Sequence, residues 1–328
     1  MHIILTSLPS DALARTLTVE ELSGATVVSA LEAAQDPLLL NLNNAKRLTV
    51  VSENLFGGFS TAVTAVLETI KPGAVAKGAI LHAVFYGDMT EREGNTARDV
   101  AHAWGETTGF ADCAVSLRTL SFTEIATPRD ADRAPTRAAW LLGASGQDGA
   151  AAGRAMRAVS RMSRLHGAHT LLCGDRPLWD EETQPFAKAD AVVTGFSLYR
   201  DQIPAYMLCH LRTLAQKDVN EPRRLYALVC AVAEQRAGKL ALERLEHFAL
   251  RAGMSWGQGL VISANSLSES PDATVRRTVR AGLSMLAITL MRGQRGRNTW
   301  VASGLSGWLK RKKDYPAPRL CDAELLHS

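Results

Sequence analysis

The sequence predicts an α/β protein with two doubly wound parallel sheets in tandem, each with the strand order 2-1-3-4-5. Short apolar segments alternate with amphipathic segments of helical length, which is typical of βαβ units. The chain also repeats itself. Residues 48–68 match residues 191–211 at an offset of 143, and residues 79–109 match residues 224–253 at an offset of 144. A period of this size predicts a tandem duplication of a whole domain.

In the first half, strands are predicted where short apolar runs end in polar or Gly-containing turns. Helices are predicted where apolar residues recur every three or four positions. The predicted strands are 2–6, 26–28, 47–51, 79–86 and 113–117, and the predicted helices are 59–70 and 91–107.

The second half contains a fuller set of the same elements. A Gly-rich turn at 143–153 follows its first strand and opens a helix that continues to about residue 166. An additional helix, 272–291, and a tail, 298–313, follow the last strand. The predicted strands are 138–142, 170–173, 191–196, 225–232 and 259–263, and the other helices are 203–214 and 238–252.

A polar segment with two prolines and alternating charge separates the halves and predicts a linker. The length of 328 residues suits two domains. We expect the two to pack as a pseudo-dimer, and a homodimer of the chain is an open possibility. The predicted map is a degenerate first domain at 1–122, a linker at 123–136, a second domain at 137–270 and a helical, basic C-terminal extension at 271–328.

Composition excludes several classes of protein. The hydrophobic content of 46% and charged content of 21% are ordinary for a globular protein. No apolar run reaches the ~18 residues of a membrane helix, and the first residues lack the features of a signal peptide. A cytoplasmic location is therefore expected. The cysteines are widely spaced and the histidines form no HxxxH pair, so reduced thiols and no metal site are expected. The cysteines are Cys113, Cys173, Cys209, Cys230 and Cys321.

A basic block lies near the C-terminus. Ten Lys and Arg residues and no Asp or Glu fall between Arg276 and Lys313. Such a block indicates an anionic partner or surface, or else a solvated helical face. Trp300 and Trp308 lie in the same region, so the tail either contacts a membrane surface or docks on the second domain. Docking is favoured, and no nucleic-acid partner is expected.

The turn after the first strand of the second half predicts a phosphate site. Free backbone N–H groups at a Gly-rich helix start attract an anion. An ordinary strand-to-helix turn without a ligand explains the same pattern. The candidate phosphate-binding residues are Ser145, Gln147, Gly149, Ala150 and Ala151.

The turn after the third strand of the second half predicts a site for a planar heterocycle. Tyr199 at the carboxyl edge of the sheet can stack on such a ring, and nearby backbone groups can address its polar edge. The alternative is an aromatic residue that packs the next helix on the sheet. The candidates are Phe196, Ser197, Leu198, Tyr199 and Asp201. The first half has the turn Gly57-Gly58 but no Gly-rich loop after its first strand, which indicates a structural domain.

Residues 189–204 resemble the flavin-ring segment of NADPH-dependent FMN reductases in the flavodoxin-like superfamily. The family pattern is aD-apolar-PLY-x-D-x-iP, and Ser197 replaces its first proline. Residues 54–68 and 85–98 resemble a companion flavodoxin-like protein, so the chain resembles a fusion of the two. The residues that match the pattern are Ala189, Asp190, Leu198, Tyr199, Asp201, Ile203 and Pro204.

The resemblance implies two flavodoxin-like domains, with FMN on the second and NAD(P)H as the hydride donor. A small-molecule electron acceptor or a protein redox partner would then be reduced. Because the flavin carries the chemistry, no catalytic side chain is assigned. Three segments depart from the family: residues 28–44 lack cysteine, 150–152 are all alanine, and 231–235 lack glycine and aromatic residues. The alternative is a non-catalytic pseudo-dimer that has lost its flavin and serves as a binding or scaffolding module.

Overall fold

The fold is described from a computed structural model. The described residues are 1–119, 121–130, 134–143, 146–165, 169–173, 186, 188–216, 223–231, 235–263 and 273–301. They divide into two compact units, a first unit that comprises Met1–Ile125 and a second unit that starts at Ala126. The domain limits placed at residues 122, 136 and 270 stay predictions.

The first unit contains one parallel sheet with the order β2-β1-β3-β4-β5. This is the predicted order 2-1-3-4-5. The strands are β1 (His2–Thr6), β2 (Ala25–Ser29), β3 (Arg47–Glu53), β4 (Ile80–Tyr86) and β5 (Asp112–Arg118). The helices are α1 (Ser10–Thr16), α2 (Val19–Leu22), α3 (Ala30–Gln35), α4 (Thr61–Thr69) and α5 (Glu91–Thr108), with a 3₁₀ turn at Pro37–Leu39.

The second unit contains a parallel sheet with six strands among its described residues. Its order, β11-β10-β9-β8-β6-β7, contains the predicted five-strand order and adds β11 beside β10. Together, the two sheets confirm a tandem flavodoxin-like α/β fold. The strands are β6 (Ala138–Gly143), β7 (His169–Cys173), β8 (Ala191–Ser197), β9 (Arg224–Ala231), β10 (Ser255–Ser263) and β11 (Thr299–Val301). The helices are α6 (Gly146–Ser163), α7 (Ala205–Ala215), α8 (Gln235–Arg251) and α9 (Ala273–Met291).

The sequence predicts a helical C-terminal extension from residue 271, and the described part of this segment packs on the second sheet and adds a strand to it. α9 packs on α6 and β10. The apolar face of α9 completes the core of the second unit with Val279, Leu283, Leu286 and Leu290. β11 then pairs with β10, with Leu260 opposite Thr299 and the next two residues of each strand paired in the same register. In the first unit, no helix follows β5 in the described residues 119 and 121–125.

The strand registers fix the offset of the repeat. Arg47 pairs with His2 and with Ile80, while Ala191 pairs with Ala138 and with Arg224. The paired residues are 33 apart in both units, so the two motifs share one offset. The consecutive positive-φ residues Phe56 and Gly57 match Arg200 and Asp201, which gives 200 − 56 = 144. The offset of 143 predicted for the first motif is wrong by one residue. That offset aligned Val50 with Val193, Phe56 with Tyr199 and Thr61 with Pro204.

Within the described part of the chain, no helix combines the length and hydropathy needed to cross a bilayer. The same residues contain no group of three His, Cys, Asp or Glu side chains suited to a metal ion. Cys113, Cys209 and Cys230 are free thiols. Burial raises the pKa of the half-buried Cys113 thiol to about 11, so at neutral pH this thiol is protonated and a poor nucleophile.

Candidate functional site

The two predicted ligand segments follow neighbouring strands of the second sheet. β6 pairs with β8, from Ala138 opposite Ala191 to Leu142 opposite Gly195. β6 pairs on its other side with β7, so the chain order reverses between β6 and β8. Such a switch point is where doubly wound sheets bind their ligands, at the carboxyl ends of the strands. The structure therefore brings the start of α6 and the turn after β8 to one edge of the sheet.

The phosphate segment is more helical than the sequence predicted. α6 begins at Gly146, so Gln147, Gly149 and Ala150 lie in its first turns instead of in a loop. Ala151 is 6% exposed and packs in the apolar core of the second unit. Its methyl group therefore packs in the core, and its assignment to the backbone of a phosphate site stays a prediction. Ser145 lies outside the described residues.

Gly143 is explained by close packing. A Cβ atom at this position would lie 2.7 Å from the Cβ of Phe196 and 2.8 Å from the hydroxyl oxygen of Tyr206. Contacts this short exclude any larger residue without movement of a strand or of α7. The sequence did not single out Tyr206, because it lies in an apolar helical segment and is fully buried. Packing therefore explains the glycine at the end of β6, and its presence does not support a phosphate site.

The turn after β8 is closed by its own backbone. The Tyr199 N–H donates to the Gln202 carbonyl at 2.9 Å, and the Gln202 N–H donates back to the Tyr199 carbonyl at 2.9 Å. The two central residues, Arg200 and Asp201, have φ of 47° and 62°, as in a type I′ turn. The Leu198 N–H donates to the Cys230 carbonyl at 2.8 Å. The backbone donors of Leu198 and Tyr199 are therefore occupied within the protein.

Burial separates the predicted ring-binding residues into two groups. Phe196, Ser197 and Leu198 are buried, whereas Tyr199 and Asp201 are half-exposed. The guanidinium carbon of Arg200 lies 5.8 Å from the centroid of the Tyr199 ring, which is a cation–π distance. Of the predicted residues, Tyr199 is the one whose aromatic ring reaches the surface at this edge.

FMN fits this edge at its phosphate end and only partly at its ring end. The start of α6 lies at the switch point, where helix N–H groups attract a phosphate. The ring end offers the Tyr199 side chain, but the expected contacts from the Leu198 and Tyr199 N–H groups are not available. No step of a flavin reaction follows from these residues alone.

Asp190, which matches the family pattern, lies at the opposite edge of the sheet. Its Oδ2 accepts hydrogen bonds from the Thr136 hydroxyl at 2.6 Å, the Thr136 N–H at 2.8 Å and the Arg137 N–H at 3.0 Å. Because these bonds fix the residues just before β6, the role of Asp190 is structural.

The corresponding edge of the first unit holds buried polar groups. The Leu55 N–H donates to the Gly58 carbonyl at 2.9 Å, which closes the turn after β3. In the part of the chain that the structure describes, the Asn54 amide and the Ser60 and Thr61 hydroxyls are buried without a hydrogen-bond partner. Groups of this kind usually bind ordered water. No local pattern in the sequence identifies these groups, because their burial depends on the surrounding turn.

A polar network crosses one face of the first sheet. The Arg47 Nη2 donates to His82 Nδ1 at 3.0 Å, and His82 Nε2 lies 2.9 Å from the Ser116 hydroxyl. Burial lowers the pKa of His82, and the neighbouring Arg47 lowers it further. A neutral imidazole that accepts at Nδ1 and donates at Nε2 fits both contacts. Glu21 Oε1 lies 4.0 Å from His82 Nδ1 and 3.7 Å from the Arg118 Nη2.

No protein-family model matches the chain, and no curated protein matches it. Among solved structures, a flavodoxin from Streptococcus pneumoniae TIGR4 is 15% identical over 47% of this chain and 97% of its own, with a TM-score of 0.35. The azoreductase AzrA is 14% identical over 47% of this chain and 99% of its own, with a TM-score of 0.34. At these values the fold assignment depends on the strand order and registers of the chain itself.

Proposed function

We propose that the protein is a flavin-dependent NAD(P)H oxidoreductase of the FMN-reductase type. The second unit would bind FMN, and a small acceptor or a protein partner would receive the electrons. The proposal is supported by one observation above all. The 18-residue helix α6 and the turn Tyr199–Gln202 start from neighbouring strands at the switch point of the second sheet. A phosphate and a planar ring joined to it can therefore be held at one edge.

Each segment has a separate task in this proposal. The first-turn N–H groups of α6, around Gln147 and Gly149, would hold the phosphate. The Tyr199 ring would stack on the flavin, and Asp201 would lie beside it. FMN would supply the hydride chemistry when bound, and the protein would supply position and exclude water.

A flavin titration tests the proposal. Adding the purified chain to FMN should quench flavin fluorescence with a saturable curve. Gly149→Asp places a carboxylate in the first turn of α6 and should weaken binding at least about tenfold. Arg161→Asp, in the last turn of the same helix, is the matched control and should bind like the parent. If the parent fails to bind FMN, or Gly149→Asp binds as tightly as the parent, the site is wrong.

A second candidate function is a non-catalytic flavodoxin-like binding module. The occupied N–H groups of Leu198 and Tyr199 favour it, as does the burial of Ala151 and Ala152. Under this candidate the chain neither quenches FMN fluorescence nor oxidises NADH or NADPH when FMN is present. Consumption of either nicotinamide with added FMN and a small acceptor would contradict it.

A further inference from the structure

The outer face of α9 exposes large apolar side chains. Met285 is 52% exposed, Ile288 44% and Met291 36%. The three follow one another at steps of three residues, so they are neighbours along one side of the helix. Trp300, on β11, is 38% exposed, and β11 contacts α9. Contiguous exposed apolar side chains mark an interaction surface more often than single ones do.

Arginines lie at both ends of this apolar group. Arg277 and Arg280 are exposed before it, and Arg292 and Arg297 are exposed after it. Within the described residues, none of these four guanidinium groups has a carboxylate partner. The sequence contains no Asp or Glu between Arg276 and Val301. The face is therefore apolar at its centre and positive at both ends.

The segment after α9 is held in place by bonds that leave these arginines exposed. Gln258 Nε2 donates to the Arg297 carbonyl at 3.0 Å. The Asn298 amide donates to Glu246 at 3.0 Å and accepts from the Gly259 N–H at 2.8 Å. Arg295 is the exception, since it is paired with Asp130 at 3.0 Å. The segment that follows the face is therefore anchored to the second unit instead of being a free tail.

We propose that this face of α9 binds the surface of an anionic lipid bilayer, with the helix lying flat on it. The apolar centre would enter the boundary between head groups and acyl chains, and the arginines would pair with the anionic head groups. A nucleic acid or an acidic protein surface would match the charge but leave Met285, Ile288 and Met291 without an apolar environment. This inference does not depend on the flavin proposal.

Vesicle co-sedimentation of the full chain tests it. The chain should sediment with vesicles of phosphatidylcholine plus phosphatidylglycerol, but not with vesicles of phosphatidylcholine alone, and added salt should release it. Arg277→Gln with Arg280→Gln should weaken binding roughly thirtyfold at low salt, since each basic residue near an anionic surface contributes about fivefold. Met285→Ser with Ile288→Ser should weaken it at least about tenfold.

A matched control replaces exposed apolar residues of the first unit. Val19→Ser with Leu38→Ser removes two side chains that are 84% and 88% exposed, and binding should be unchanged. Circular dichroism and thermal unfolding should show that all variants are folded. Neutralising residues 310–313 with glutamine separates this face from the basic tail, which lies outside the described residues.

Several outcomes would overturn the proposal. One is that neither vesicle sediments the chain. Another is equal binding to both vesicle types, or a loss of binding in the control pair as large as in the α9 pairs. Loss of binding on neutralising residues 310–313, with the α9 variants unaffected, would move the site to the tail. Tight binding to a duplex oligonucleotide without vesicle binding would assign the face to nucleic acid.

Discussion

The Asp130 carboxylate lies 2.9 Å from the Arg224 Nη2 atom, and the Arg224 side chain is only 6% exposed. The same Asp130 oxygen accepts from the Arg295 Nη2 at 3.0 Å. One carboxylate therefore ties the segment before β6 to the first residue of β9 and to the turn after α9. Residue 130 belongs to the segment that the sequence predicts to be a linker, so the later part of that segment is anchored to the second unit.

Replacing Asp130 by Asn should destabilise the second unit by about 1 kcal/mol. The charge that pairs with the buried Arg224 is lost, but Asp130 is partly exposed and its ion pairs are screened by solvent. Urea unfolding followed by circular dichroism measures the change. Asp11→Asn, which breaks the exposed Arg15–Asp11 pair at 3.1 Å, is the control and should cost less than about 0.5 kcal/mol. Equal effects of the two substitutions would mean that Asp130 does not anchor the segment.

The Asp130 pair also predicts a pH dependence. Burial alone would raise the pKa of Asp130, but hydrogen bonds from Arg224 and Arg295 outweigh it and hold the pKa below its ordinary value. A lowered folded pKa gives stability that is present at neutral pH and is lost as the pH falls through that pKa. The parent should therefore lose more stability than Asp130→Asn on acidification below pH ~4.

His82 predicts a second pH dependence, in the first unit. Its pKa is lowered from 6.5 by burial and by Arg47, so the folded state disfavours protonation. The stability that the neutral His82 imidazole gives to the folded state is fully present above the ordinary pKa. This stability is lost as the pH falls below that pKa. Glu21 opposes the shift, while Arg118 and His2 add to it.

Urea unfolding between pH ~8 and ~5.5 measures this effect. His82→Gln can still accept from Arg47 and donate to Ser116, and it should flatten the loss of stability toward acid pH. Burial and Arg47 also lower the pKa of His2, so His2 leaves a residual slope of stability against pH. His2→Gln should remove that residual slope. An unchanged slope in His82→Gln would show that His82 does not titrate in this range.

The strand order was predictable because most strands are apolar runs bounded by turn residues. β11 was missed because Thr299–Val301 is three residues long and has no apolar run before it. The start of β10 was placed four residues late, at residue 259 instead of Ser255. In the structure a bulge at Gly257 keeps the strand paired with β9 on both sides of it.

The position of the candidate site was predictable and its chemistry was not. Chain order alone puts the start of α6 and the turn after β8 at one sheet edge. Whether the Leu198 N–H is free depends on the Cys230 carbonyl, 32 residues away in the chain, and therefore on the register between β8 and β9. Local sequence patterns do not contain that register.

Gly257→Ala should destabilise the second unit by about 1–3 kcal/mol, because a Cβ there would lie 2.5 Å from the Tyr226 ring. Tyr226 cannot move freely, since its hydroxyl lies 3.0 Å from the Gln294 carbonyl and 3.3 Å from that of Thr289. Gly153→Ala is the matched control. Its Cβ would meet Leu142 at an ordinary 3.5 Å, so within α6 it should stabilise by about 0.5–1 kcal/mol. If the two substitutions change the unfolding temperature in the same direction, the close packing of Gly257 on Tyr226 is contradicted.

The turns after β3 and β8 should both be more stable with glycine at their second central position. Their equivalent central residues are Phe56 and Gly57 in the first unit, and Arg200 and Asp201 in the second, all with positive φ. A positive φ costs an L-residue about 1–2 kcal/mol relative to glycine, and less for Asp. Gly57→Ala should therefore destabilise the first unit by about 1 kcal/mol, whereas Asp201→Gly should stabilise the second by up to about 0.5 kcal/mol. Thermal unfolding measures both changes. If Gly57→Ala is neutral while Asp201→Gly is destabilising, the two turns do not share the backbone conformation that makes them equivalent.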